Sequence, residues 1–463
     1  MNKIFSIILS GVALLSASAC SEIKDGTTDI DSWPMPGSET VYDPQVYDLT
    51  KHPCMLHTRA DIDYVKAHLG QQPWADAYQK LLTSGYSNNG RTATTWEYLA
   101  RLDATNWAEG GGRWKDAGLE DLYKPGIQNS YMDLARDAAA AYQLSLKWQL
   151  SGDEGAAATA VKLLEDWAAH NKGILLGKIK WKDDVIDSNE YLMMFQIHQV
   201  ANAAELLRDY NKWGESENFA NVVNWLVTYW YPFCHRFLEL NVGDHWWMNW
   251  DLASMTAILS IGILAEDNDM VNEAILRFKC GEGPGSFTGK GIIDIFDDPD
   301  GSGEKLAQGN EAGRDQGHNT LCAVLVGYFC QMALNIGEDL FAFNDGVAIA
   351  FAQYAAKYNL PKDGDSEPGN ADDSWFKYSS KNVPFTAYSY NGGSMTELGS
   401  GGRGTNRPGW DIWASYCKTH GIQGKYVTEY AERYRPDGGG GHYGGNSGGF
   451  DQLGFSTLMY HRE

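Results

Sequence analysis

Positive charge is scarce in this 463-residue chain: 37 Lys and Arg stand against 60 Asp and Glu, a formal net charge of −23. Nucleic acid binds through phosphate neutralisation, so it is not an expected partner. Cysteine is sparse as well, with seven in the whole chain and no C-x-x-C pair or histidine at metal spacing. A zinc cluster is therefore not expected, and nothing else calls for a metal or cofactor. Cys54, Cys234, Cys280, Cys322, Cys330 and Cys417 are scattered; Cys322 and Cys330 share one apolar stretch about two helical turns apart and read as core thiols. Alternating strand patterns are few. No fixed period of about 34 or 40 residues recurs, which disfavours a simple repeat solenoid.

What is present begins with a compartment signal. Lys3 gives a short positive region, and Ile4 to Leu15 form an apolar run too short to span a bilayer. Ser16, Ala17, Ser18 and Ala19 then lead into Cys20, a layout that resembles a lipobox with Cys20 as the lipidated N-terminus. An exported, lipid-anchored protein at the periplasmic face or cell surface of a Gram-negative bacterium is the expectation. Residues 21–44 are rich in Asp, Ser, Thr, Gly and Pro and read as a flexible tether. Residues 45–463 read as one large domain, and a monomer is expected.

Within that domain the strong periodicity is helical. Met132–Leu150, Ala156–His170, Glu190–Tyr210, Ser216–Phe233, Leu252–Ala265, Met270–Phe278 and Thr320–Ile336 place apolar residues at three- and four-residue steps. Successive helices with short connections make antiparallel hairpins. The length favours closing them into an all-α toroid, an α/α barrel, over a sandwich. Two long segments, Cys280 to Gly313 and Lys362 to Pro408, read as loops rimming the mouth of a cleft. The first contains Asp297, Asp298, Asp300, Ser302 and Glu304, clustered oxygen donors without the spacing of an EF-hand, which read as a solvated acidic turn.

Seventeen Trp and 25 Tyr suit a cleft that stacks pyranose rings. An acidic sugar polymer would need local cations, and Lys279, Lys290, Arg314, Arg403, Arg407 and Arg435 lie in the Gly-rich parts. Two segments concentrate chemistry. Asn241 to Asp251 brings His245, Asn249, Trp246, Trp247 and Trp250 to the start of an apolar helix, where free N–H groups and the helix dipole favour a carboxylate. Glu311 to His318 opens another helix with Arg314 and His318 four apart. A guanidinium there can grip a sugar carboxylate, and an imidazole can move a proton.

The run EAGRDQGHNTL at 311–321 resembles the E-(S/T)-x-R-D-x-x-H signature of the alginate lyase superfamily of bacterial polysaccharide lyases, with Ala312 in place of Ser or Thr. MNWDLASMTAI at 248–258 is similar to that group's G-N-W helix start, with Met248 for glycine. KHPCMLHTRADIDYVK at 51–66 and RPDGGGGHYGGNSGGFDQLGFSTL at 435–458 resemble its opening and closing segments, and polysaccharide lyase family 38 is the member group they suggest. The resemblance implies an α/α barrel that β-eliminates alginate or glucuronan. In that reading Asn249 and Arg314 hold the uronate carboxylate, His245 or His318 is the base, and a tyrosine is the acid. Tyr328 lies in an apolar stretch and reads as core. That leaves Tyr388, Tyr390, Tyr416 and Tyr443, of which Tyr416 is preferred. Trp246, Trp250, Gln316, Tyr388 and Arg403 are the expected substrate contacts. Two other readings stay open: a glycoside hydrolase using two of Asp251, Glu311, Asp315 and Asp411, and a non-catalytic glycan-binding lipoprotein.

Overall fold

The computed structural model describes residues 42–101, 126–181, 184–187, 189–241, 246–361 and 398–463. Cys20 and the tether up to residue 41 lie outside them. The described chain is an α/α barrel. Its helices are α1 (Arg59–His68), α2 (Trp74–Leu82), α3 (Ser130–Ser151), α4 (Glu154–His170), α5 (Ile197–Leu206), α6 (Glu217–Trp225) and α7 (Tyr231–Leu240). They continue with α8 (Met248–Ala265), α9 (Asn268–Cys280), α10 (Gln316–Asn335), α11 (Phe343–Asn359), α12 (Trp410–Thr419), α13 (Lys425–Tyr434) and α14 (Ser456–Tyr460).

Local chemistry sets where these helices start and stop. Asp153, Ser216 and Asp267 cap α4, α6 and α9 by accepting backbone N–H groups of the first turn. Gly152 ends α3 in the left-handed region, which lets the chain reverse straight into α4. α3 packs on α4 and α5, α5 on α8, and α8 on α9 and α10. The inner members are buried around their whole circumference. α8 is apolar on every side, long enough to cross a membrane and 94 % buried within the fold, as a core helix should be. The six described cysteines are buried and unpaired, so Cys322 and Cys330 are core thiols as expected.

Four expectations need correction. Glu190–Tyr210 is not one helix: a 3₁₀ stretch at Asn189–Gln196 precedes α5. Ser216–Phe233 divides into α6, a π-turn at Leu226–Trp230, and α7 with Pro232 in its first turn. The segment Cys280–Gly313 is not all loop: β3 (Ile292–Asp297) pairs antiparallel with β4 (Lys305–Gly309), and β4 packs on α11. A second hairpin joins β1 (Lys178–Trp181) to β2 (Asp184–Asp187). Nor is the turn between β3 and β4 solvated throughout. Asp298 is buried and accepts from Lys357, Ser302 and Tyr426, and Lys357 also meets Asp300 at 2.7 Å. An internal ammonium sits among those oxygens.

The start of the domain is pinned to the barrel by two devices. Asn272 and Asn268 of α9 each exchange hydrogen bonds with the backbone of Gln45 and Tyr47, as a neighbouring strand would. Farther on, His52 bridges two carboxylates, Nδ1 to Glu205 at 2.8 Å and Nε2 to Glu266 at 3.1 Å, while Arg208 holds the other oxygen of Glu205 at 2.8 Å. Burial alone would lower the His52 pKa, but the hydrogen bonds to Cys54, Glu205 and Glu266 outweigh it and push it up to about 11. Glu205 is raised by burial yet brought below its ordinary value by His52 and Arg208; Glu266 is lowered chiefly by its bond to His52.

These directions fix a pH window. A raised histidine stabilises fully below its ordinary 6.5, and that contribution drains away as pH climbs towards 11. The two glutamates contribute above their ordinary 4.5 and lose it on acidification. His52→Gln should therefore lower the thermal unfolding temperature most near about pH 6, with the gap from wild type narrower at about pH 9. Unfolding scans at both values test this; an equal gap would mean that His52 acts by shape rather than charge.

Candidate active site

The site is assembled where two inner helices begin. β4 ends at Gly309, and the chain turns through Asn310 to Asp315 before α10 starts. Asp315 is the N-cap of α10: its backbone is extended and Oδ1 accepts His318 N–H at 2.8 Å. The same carboxylate takes the imidazole, Oδ2 to Nδ1 at 2.7 Å and Oδ1 to Nδ1 at 2.9 Å. On the other side of the ring, Arg314 Nη2 stands 3.4 Å from Nε2. A carboxylate only accepts and a guanidinium only donates, so the proton belongs on Nδ1 and Nε2 carries a lone pair. Burial raises the Asp315 carboxyl, but the bonds and charge of His318, then Arg314, hold it below its ordinary value. It stays ionised and fixes the ring.

Glu311 is fully buried and ties this turn to α8. It accepts from Asn249 N–H at 3.2 Å and from Arg314 Nη1 at 3.3 Å. Arg314 lies with its guanidinium 4.6 Å from the Trp247 ring, which sets its plane. Asn249 is buried in the first turn of α8, and its Oδ1 has no partner among the described residues. An orphaned buried amide oxygen costs about 1–3 kcal/mol, which a ligand donor would recover. Gly399 covers the turn at a distance no side chain allows: a Cβ there would lie 2.3 Å from Arg314 O. Two helix N-termini thus point their positive ends towards one guanidinium, one amide and one imidazole lone pair.

The other expected contacts sort themselves by burial. Gln316 does not face a ligand: Nε2 donates to Ala312 O and Gly399 O, and Oε1 accepts from Asn319 and Asn359. Trp246 and Trp250 are core, stacked on each other and both packed against Phe237, so neither offers a face to a sugar. Trp247 is the tryptophan that touches the site, and no sequence signal separates it from its two neighbours. Arg403 lies over the Tyr358 ring at 4.3 Å and donates to Tyr358 O. His245, Tyr388 and Tyr390 lie outside the described residues.

Tyr416 is misplaced for the role of acid. Its hydroxyl donates to Asp339 Oδ2 at 2.8 Å and its ring stacks on Phe341 and His420. Asp339 follows the C-terminus of α10, a helix of 20 residues, whereas His318 sits at its N-terminus. That separation is about 30 Å. Tyr328 is core, as expected, between Pro408 O and Gly454 N–H, and Tyr443 turns its hydroxyl to Gly438 N–H.

Of the cations in Gly-rich parts, Arg314 and Arg407 meet at the start of α10, where Arg407 Nε donates to Gly317 O at 2.9 Å. Lys279 is paired with Glu338, and Arg435 with Asp411. The carboxylates a hydrolase would use are likewise committed. Asp251 is buried against Arg277, Asp411 against Arg435, and Glu311 and Asp315 serve Arg314 and His318. No two of them face each other as a free acid and base.

Residues 100–358 match the family described as alginate lyase. Solved structures of alginate lyase A1-III share the fold over 90 % of this chain and 97 % of theirs. A histidine-to-alanine variant with bound tetrasaccharide has a TM-score of 0.51 at 14 % identity. A tyrosine-to-phenylalanine variant with tetrasaccharide has 0.52 at 13 %. The A1-III enzyme is from Sphingomonas species A1. An alginate lyase from Bacteroides ovatus aligns over 89 % of this chain and 100 % of its own, with 14 % identity and a TM-score of 0.47. A search of curated proteins found no match.

The packing beside the site makes one stability claim. Asp251 Oδ2 meets Arg277 Nη2 at 3.2 Å and Gly285 N–H at 3.1 Å, and Oδ1 accepts from Asn241 at 2.6 Å. Breaking a buried pair from one side costs about 3–5 kcal/mol. Asp251→Ala should lose that much in denaturant unfolding; a cost under about 1 kcal/mol would leave the carboxylate without its structural role.

Proposed function

The chain belongs to the alginate lyase family and is a polysaccharide lyase, and we propose that it cleaves alginate or glucuronan by β-elimination at the start of α10. The observation that carries the reading is the Asp315–His318–Arg314 arrangement. Elimination needs a base at C5 of a uronate, a weak carbon acid because the adjoining carboxylate is already negative. That carboxylate must be neutralised while charge grows on it. Arg314 is the fork for it, and Asn249 supplies the amide beside it. C5 is bonded directly to the carboxylate carbon, so a base must stand next to the group that grips the carboxylate. The Nε2 lone pair of His318 lies 3.4 Å from Arg314 Nη2, in that position. Asp315 keeps the ring in the tautomer with Nε2 unprotonated and steadies the imidazolium that forms. The two helix N-termini favour the negative charge that develops. His245 is the alternative base, and the acid that protonates the leaving O4 is a residue not yet assigned. The resemblance of the opening and closing segments supports polysaccharide lyase family 38 within the family.

The test is turnover of polymannuronate, polyguluronate and glucuronan, read as the ultraviolet absorbance of 4,5-unsaturated ends. Arg314→Ala should lose about 10²–10³ in kcat, and His318→Ala about 10²–10⁴. Asp315→Asn should lose less than about 100-fold, because the ring loses the carboxylate that fixes its tautomer and steadies its charged form. Wild-type turnover by the Arg314 and His318 variants would sink the assignment. A hydrolase would give no new chromophore.

We also propose that the protein is exported and anchored by lipid on Cys20, supported by the charged, apolar and small-residue order of residues 3–20. Cys20→Ala should move the protein from the membrane pellet to the soluble fraction. Continued sedimentation with membranes would refute the anchor.

A further inference from the structure

Arg407 reaches the start of α10 from the segment preceding α12. Its Nε is satisfied by Gly317 O at 2.9 Å, one residue before His318, but the end of its fork is poorly used. Nη1 makes two long contacts, 3.5 Å to Gly448 O and 3.4 Å to Asp451 Oδ2, and Nη2 has no partner among the described residues. A guanidinium paired with a carboxylate at full strength holds it at about 2.7–2.9 Å, usually through two parallel bonds. Arg407 does neither, although its side chain is only 13 % exposed.

Asp451 is the other half of this loose pair, and it is also 13 % exposed. It belongs to the Gly-rich closing segment, beside Phe450, whose ring meets Tyr86 and which lies in a small cluster flanked by Tyr131. The guanidinium of Arg101 lies 5.5 Å from the Tyr131 ring. Burial raises the Asp451 carboxyl above its ordinary value, while Arg407, His318 and Arg101 each pull it down. Two arginines, the imidazole and one carboxylate therefore share a neighbourhood, and Arg314 Nη2 stands 3.4 Å from His318 Nε2. In a chain of net charge −23, that is a local excess of cations around one internal anion.

A uronate polymer carries a carboxylate on every sugar, so a chain gripped at Arg314 brings a second carboxylate past His318. We propose that Arg407 is a second carboxylate-binding residue, for the uronate next to the one held at Arg314, and that Asp451 occupies its fork in the unliganded protein. Substrate displaces Asp451 and converts two long contacts into a bidentate pair. The inference rests on the lyase reading of the site.

The experiment is calorimetric titration of an alginate tetrasaccharide into the full protein carrying His318→Ala, so that binding is read without turnover. Adding Arg407→Gln should weaken binding by about tenfold or more, about 1.4 kcal/mol. It should also flatten the dependence on salt. Adding Asp451→Asn should strengthen binding severalfold, because the competing carboxylate is gone. An Arg407→Gln protein that binds as tightly as its parent overturns the proposal. If that variant instead unfolds at lower temperature, Asp451→Asn decides. A structural role for Arg407 gives no gain there, and unchanged or weaker binding overturns the proposal. A wild-type protein that releases no 4,5-unsaturated ends would refute the lyase reading, and turnover that survives His318→Ala would refute only His318 as the base; the binding arms are scored by themselves in either case.

Discussion

A carboxylate with no solvent must be satisfied by the protein, and Glu311 is such a group. It takes the N–H of Asn249 with one oxygen and Arg314 with the other, so the N-terminus of α8 and the turn before α10 cannot move apart without stranding it. Everything the site offers hangs from that pair. The backbone bond sets where Asn249 begins its helix, and the side-chain bond sets where Arg314 turns back towards His318. Trp247 then closes the far face of the guanidinium. The Gly-rich segment at Gly399, with no side chain to intrude, lies directly on Arg314 O. The barrel supplies rigidity, while Glu311 converts the rigidity of two separate helices into one geometry.

The charge of the chain becomes intelligible on the same grounds. A net −23 should repel an acidic polymer, and the sequence offers several cations to counter it. Lys279 is spent on Glu338 and Arg435 on Asp411, and Lys357 is held inside the β3–β4 turn. What converges at the start of α10 is Arg314 and Arg407, reinforced by two helix dipoles. A small, partly buried cluster of this kind is screened less by salt than exposed lysines would be, so it can dominate locally over a distant acidic surface.

Much of the fold is legible in the sequence because helical periodicity survives burial, as in Met132–Leu150, Leu252–Ala265 and Thr320–Ile336. The β3–β4 hairpin is not, since its strands are five or six residues long and flank a turn of Asp, Gly and Pro that resembles loop. α11 escapes notice for a different reason: Asn344, Asp345 and Gly346 at its start adopt positive φ and look like a breaker. At the site, Arg314 and His318 are found by spacing, even though Arg314 lies just outside the helix. Gln316, in the same motif, is indistinguishable by type from a ligand contact, yet it spends both ends of its amide inside the fold. Tyr416 fails because an aromatic-rich helix announces burial without saying at which end of the barrel it packs. Trp247 is missed because three neighbouring tryptophans differ only in the direction they face.

Two aspartates beside the same histidine show how environment divides one chemistry into two tasks. Asp315 accepts from the backbone and ring of His318 and lies against Arg314, so its charge is favoured despite burial. It can orient the ring without competing for the proton. Asp451 is desolvated too, but its best contact is a 3.4 Å pair with Arg407, and its carboxyl sits above its ordinary value. The difference lies in hydrogen bonds rather than in distance from cations, since Arg407 and Arg101 both act on Asp451. A carboxylate held by short bonds is part of the scaffold; one held only by long-range attraction is displaced at little cost when a better-bonded anion arrives. A site for a polyanion gains from both. The first fixes the imidazole, and the second lies against the Arg407 guanidinium.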